Sequence, residues 1–286
     1  MKKSIFLLLS ALICNILVFA QQKQAYVLYD AKGKKISYHH MLKQLKSKDI
    51  ILFGEYHNNP ISHWLQLELV KDLHQSRPLT LGAEMFEQDN QPALDAYLQG
   101  KLSAKGLDSN ARLWPNYKTD YAPLVNFAKE NKLQFAATNV PRRYASMVSR
   151  LGLGALDTIP TAAKAWMAPI PFSYDSTLPG YKKMLEMMPG HNNASFFPKA
   201  QALKDATMSH FILKYFVPGN LFVHFNGSYH SENYEGILWY LKQANANLKY
   251  ASITTLSQGK LNKLLAENKA KADFIICVDE DMTSTY

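Results

Sequence analysis

Ile50-Ile51-Leu52-Phe53-Gly54-Glu55-Tyr56-His57 decides the fold. Four apolar residues in a row, with no polar alternation, read as a buried strand. Gly54 lets the backbone turn sharply at its end. Asn58-Asn59-Pro60 then opens a helix, with Pro60 at the tolerated first position. Strand, turn and helix in succession are the unit of an α/β fold, whose ligands sit at the carboxyl ends of the strands. Glu55 and His57 stand at such an end.

The same unit recurs outward along the chain. Apolar runs at 79–86, 134–140, 221–225, 249–256 and 274–278 read as further strands. Helical stretches separate them: 60–75, 91–98 closing at Gly100, a segment to Glu130 capped by Asp120, one from Pro141 to Gly152, and 199–216. Two short strands, 25–29 and 34–38, flank the turn Asp30-Ala31-Lys32-Gly33, and Ser37 caps a helix over 39–46. The expected fold is α/β, with a mostly parallel central sheet flanked by helices. Between Asp157 and Pro198 prolines cluster and the periodicity breaks, which marks an inserted helical cap subdomain. With the helix that follows, this cap occupies about 157–216 of a domain over 21–286.

The chain has 286 residues, 47% of them hydrophobic, enough for one sizeable core. Residues 1–20 stand apart. Lys2 and Lys3, an apolar run over 5–19 and Val18-Phe19-Ala20 form a secretory signal pattern, so export to the periplasm or the outer membrane is expected. Cleavage after Ala20 would leave Cys277 alone, without a disulfide partner. Ile13 before Cys14 and the apolar run beyond it make a poor lipid-attachment site. Formal net charge is +9, or 9 − 2 = +7 without Lys2 and Lys3. The lysines are scattered (Lys32, Lys34, Lys46, Lys199, Lys204) rather than striped with aromatics, a solvated basic surface and no nucleic-acid site.

One pattern repeats. Gly54-x-x-His57 and Gly227-x-x-His230 each follow an apolar strand. Two strands ending alike at one sheet edge would bring His57 and His230 together, with Glu55 beside them and Glu84 from the run at 79–86. Two imidazoles and two carboxylates suit a divalent metal, and Glu55 or Glu84 can act as catalytic base. A lone histidine at a strand end is usually structural, and His224, set among apolar residues, reads as a core histidine. Arg142, past Pro141, can clamp a carboxylate or phosphate, whereas Arg143 reads as a surface residue. Trp114, Tyr117 and Trp166 are aromatic candidates for a pocket wall, and Met184, Met187 and Met188 for cap packing. No Gly-rich phosphate loop, Gly-x-Ser-x-Gly elbow or Cys–His pair occurs.

Phe53-Gly54-Glu55-Tyr56-His57, Gly82-Ala83-Glu84-Met85-Phe86, Thr138-Asn139-Val140-Pro141-Arg142, Lys199 to Met208, and Asn226-Gly227-Ser228-Tyr229-His230 resemble, in order and spacing, the motifs of the ChaN-type haem-binding proteins. That group is related to the erythromycin esterases and to the TraB and TIKI proteins, and the TIKI proteins are metal-dependent proteases. The resemblance implies an exported, iron-regulated envelope protein that binds haem, with a homodimer and envelope haem or iron transport components as partners. Arg142, Tyr144, Tyr117 and Tyr229 are its cofactor-binding candidates; the family's haem-ligand tyrosine falls on no matching motif here, and the chain offers Tyr117, Tyr144, Tyr174 and Tyr229 for it. The alternative is a metal-dependent ester or peptide hydrolase built on His57, His230, Glu55 and Glu84.

Overall fold

The computed structural model describes residues 23–187, 190 and 192–286. The expectations for the signal segment, Cys14 and Met188 lie outside them. Eight strands form one sheet: β1 (Tyr26–Asp30), β2 (Lys35–Ile36), β3 (Ile50–Glu55), β4 (Leu79–Glu87), β5 (Gln134–Asn139), β6 (Leu221–Gly227), β7 (Tyr250–Gln258) and β8 (Phe274–Asp279). Their order is β2-β1-β8-β7-β3-β6-β4-β5. β3 to β8 run parallel, and only β1 pairs antiparallel, with β2 and β8. The fold is therefore α/β with a mostly parallel sheet. β2 is shorter than the stretch 34–38 suggested, because Ser37 leaves the strand to cap the helix Tyr38–Leu45, accepting from the His40 N–H.

The uninterrupted apolar run of β3 follows from burial on both faces. Ile51 and Phe53 pack with Leu65, Leu69 and Leu73 of the helix Pro60–His74 and with Leu124 and Val125 of the helix Ala122–Glu130. Ile50 and Leu52, turned the other way, meet Met208 and Ile212 of the helix Phe197–Tyr215 and Leu238 of the helix Ile237–Ala244. Asn59 caps the helix Pro60–His74 through the Ser62 N–H. Asp120 does not cap the next helix as expected. It lies inside a π-helical turn, Tyr117–Tyr121, and its carboxylate accepts from Asn116 and from the Thr285 hydroxyl instead.

The stretch 157–216 is of two kinds. Residues 157–187 hold the short helices Thr161–Lys164 and Pro179–Glu186. The helix Phe197–Tyr215 instead forms a layer directly on the sheet, so it is not cap. His224 is fully buried between Thr138 and Asn226, and burial pushes its pKa down to about 4, a neutral core histidine as read from the sequence. Cys277 is buried as well. Among the described residues no helix is long and apolar enough to cross a membrane.

β5 is an edge strand, and Gln91 covers it. Its amide donates to the Phe135 carbonyl and accepts from the Ala137 N–H, standing in for a neighbouring strand. Gln91→Ala orphans both backbone groups and is expected to cost about 1–3 kcal/mol in a denaturation midpoint. Gln91→Glu, which keeps the acceptor and loses the donor, should fall between.

Candidate functional site

The carboxyl ends of β3, β4 and β6 open into a cavity of about 620 Å³. Glu55, His57, Glu84, His230, Arg142, Tyr229 and Trp114 all line it. The two Gly-x-x-His stretches interlock there. A side chain on Gly54 would meet the Ser228 Cα at 2.9 Å, and one on Gly227 would meet the His57 ring at 2.9 Å. Each glycine is present because the other motif passes against its bare Cα. In register, Glu55 sits opposite Gly227.

Glu55 is 1% exposed and saturated with donors. It takes His57 Nδ1–H at 2.9 Å, the Tyr121 hydroxyl at 2.7 Å and the Gln66 amide. His57 is fixed a second time through its backbone carbonyl, which accepts from Asn116 at 2.9 Å and from His63 at 3.0 Å. Its ring stands edge-on to Trp114, centroids 4.8 Å apart. Burial lowers the His57 pKa, but the Glu55 hydrogen bond and the Glu84 and Glu55 charges outweigh it, and the net shift is upward. With Nδ1 assigned as donor, Nε2 is the free nitrogen, and the side chain is 34% exposed.

His230 has no such freedom. Its Nε2 lies 3.1 Å from Glu84 Oε1 and its Nδ1 2.5 Å from Asp205 Oδ1. Glu84 spends Oε2 on the Gly227 N–H at 2.8 Å, and Asp205 takes the Tyr181 hydroxyl at 3.0 Å. Burial lowers the His230 pKa, yet the two carboxylates raise it to about 9. Burial likewise opposes ionisation of Glu84, but the imidazolium and its hydrogen bond hold that carboxyl far below the usual range. Burial raises the Asp205 pKa against the pull of His230, so the centre is an imidazolium clasped between Glu84 and Asp205, with Glu84 the firmly ionised partner.

The four expected metal ligands share the cavity but not a ligand geometry. Each imidazole is turned onto its own carboxylate, and among the described residues no three His, Cys, Asp or Glu side chains are placed to hold one metal ion. Apart from His57 Nε2, their donor atoms are already hydrogen-bonded. The same occupancy leaves neither Glu55 nor Glu84 free as a hydrolytic base.

Two tyrosine candidates lie away from the cavity. Tyr117 packs edge-on against Phe86 in the sheet core, centroids 6.0 Å apart. Tyr144 packs among Val148, Leu156 and Leu203, beneath the Arg143 guanidinium. Tyr174 stacks near Tyr181. Tyr229 lines the cavity, and its hydroxyl donates to the Gly180 carbonyl at 2.5 Å. Arg143 pairs with Asp89 and covers Trp166, so neither serves the cavity. Sequence reasoning gave no site role to Asp205, Gln201, Lys204, Asn139 or Glu87, although all but Glu87 fall within the quoted motifs. Gln201, Lys204 and Asp205 sit at i, i+3 and i+4, one helix face, inside the stretch Lys199 to Met208. Thr285 also reaches the cavity wall, where its N–H donates to the carbonyl of Asn58, a wall residue, at 2.9 Å.

The chain is similar in fold to ChaN of Campylobacter jejuni, solved in a study of its cofacial haem binding: TM-score 0.69, 19% identity, 91% of this chain and 99% of that one. A Bacillus cereus protein superposes at TM-score 0.50 with 11% identity over 87% of this chain and 94% of that one. Protein RETICULATA-RELATED 5, chloroplastic, of Arabidopsis thaliana is 24% identical over 187 residues, 60% of this chain, and the match spans only a quarter of that protein's length. A family model described as haem-binding uptake, Tiki superfamily, ChaN, matches residues 41–241, and the chain belongs to that family.

Proposed function

We propose that this protein binds haem in the cavity above β3, β4 and β6 and takes part in haem or iron uptake at the cell envelope. Family membership supports the ligand class. The observation that carries the reading is His57: one ring nitrogen anchored by a buried carboxylate, the other bare and facing a pocket walled by Trp114, Val140 and Tyr229. A hydrogen-bonded Nδ1 fixes the tautomer and raises the basicity of Nε2, the arrangement metal-binding histidines use. The volume is within the roughly 300–1,000 Å³ of small-molecule sites. The residues therefore fit the group: His57 for the iron, aromatic and aliphatic walls for the ring. Bound haem would supply an iron centre whose behaviour follows its axial ligand and the polarity around it. Glu55, Gln66 and Tyr121 hold His57 in place, while Trp114 shields one side of its ring. The signal pattern of residues 1–20 supports export, and a homodimer would cover the open side of the cavity.

Haemin added to the full chain should give a saturable Soret shift at one haem per chain. No shift beyond that of an inert protein of similar size overturns the reading. Sedimentation with and without haemin tests the homodimer.

A further inference from the structure

Arg142 and Lys204 line the cavity, and both are free of ion pairs among the described residues. Their neighbours are not. Arg112 binds Glu87 and Asp89, and Arg143 binds Asp89. The carboxylates on the cavity wall are committed too: Glu55 to His57, Glu84 to His230, Glu87 to Arg112. What the wall offers an incoming ligand is therefore two cations without a salt bridge of their own, although the Lys204 charge is felt by Glu84.

A second observation falls at the same corner. Asn139, the last residue of β5, is 7% exposed and lines the cavity, yet its buried side-chain oxygen has no hydrogen-bond partner. An amide can exchange its oxygen and nitrogen by rotation, so Asn139 can present its NH₂ to an acceptor in the cavity. The helix Arg142–Leu151 starts two residues beyond Val140, also a wall residue, and Pro141 gives that helix no side-chain cap. Its first N–H groups favour an anion.

We propose that Asn139, Arg142 and Lys204 form a carboxylate-binding corner that holds the propionate side chains of a porphyrin. The proposal rests on the haem reading and adds what orients the ring. Two carboxylates on one edge of a flat apolar ligand meet two cations and an amide, while the rest of the ring meets Trp114 and Tyr229. Arginine takes a carboxylate in fork geometry, and lysine adds a point charge.

Haemin and haemin dimethyl ester, delivered from the same detergent solution, separate the corner from the pocket. The full chain should bind haemin roughly tenfold or more tightly than the diester. Arg142→Gln with Lys204→Gln should bring haemin down to the diester's affinity. Asn139→Leu, which deletes an unpartnered amide and is not expected to lower the melting temperature, should reduce the preference in part. Equal binding of the two porphyrins by the unaltered chain, or a preference that survives in the double variant, overturns the corner and leaves the haem reading standing. Binding of neither porphyrin above an inert protein overturns both.

Discussion

Replacing His230 with alanine is expected to destabilise the protein by about 3–5 kcal/mol, the cost of removing one partner from a buried charge pair. Glu84 and Asp205, both buried, would face each other without the imidazolium that separates them. The loss should spread, because Glu84 also holds the Gly227 N–H and Asp205 holds Tyr181 of the cap. His230→Gln, which retains hydrogen bonding without charge, should cost less. Urea titrations of the three chains measure this, and an alanine variant within about 1 kcal/mol of the parent would mean that the clasp contributes little.

The same group sets a pH dependence. The folded pKa of His230 is about 9 against an ordinary 6.5. A raised pKa means that the folded chain binds the proton more tightly than the unfolded one. The stability from this group is complete below about pH 6.5 and is lost as pH rises through 9. Glu84 acts on the other side. Its lowered pKa contributes stability above 4.5 that fades as pH falls. The parent's unfolding midpoint should therefore drop between pH 6.5 and 9.5, and that of His230→Ala should drop far less over the same span.

His57→Ala is expected to abolish the saturable Soret shift, since Nε2 of this ring is the bare imidazole nitrogen of the cavity. Glu55→Gln leaves the imidazole but weakens its anchor, and should lower haemin affinity about 10–100-fold. A proton and the iron compete for Nε2. The Glu55 hydrogen bond and the Glu84 charge raise the ring's pKa, so binding should weaken as pH falls, with a midpoint above 6.5. His57→Ala with unchanged affinity and spectrum would place the iron on another donor.

The fold was legible because its strands announce themselves. Ile50 to Phe53 is apolar on both faces, and Leu79 to Ala83 and Leu221 to Phe225 are interrupted only by Thr80, Gly82 and His224, as suits a parallel sheet covered on both sides. The convergence of His57 and His230 was legible from their repeated setting after a strand. Their partners were less so. Glu55 ends β3 and His57 follows two residues on in the turn, so that pair was within reach of sequence reasoning. Asp205 was not, because nothing in residues 197–215 tells which turn of that helix faces His230. Tyr117 and Tyr144 illustrate the same limit. Composition puts an aromatic near a site, but the direction of its ring depends on packing that forms only in the folded chain.

The contact between Thr285 and Asn58 gives Thr285 a bearing on ligand capture. Side chains introduced beside Thr285 would stand at the margin of the pocket. A run of histidines placed there would bring several foreign imidazoles beside Asn58, each able to seize iron in competition with His57. Such a chimera would turn red with haemin whether or not the native pocket were intact, and only a chain without the added histidines would report on the pocket itself.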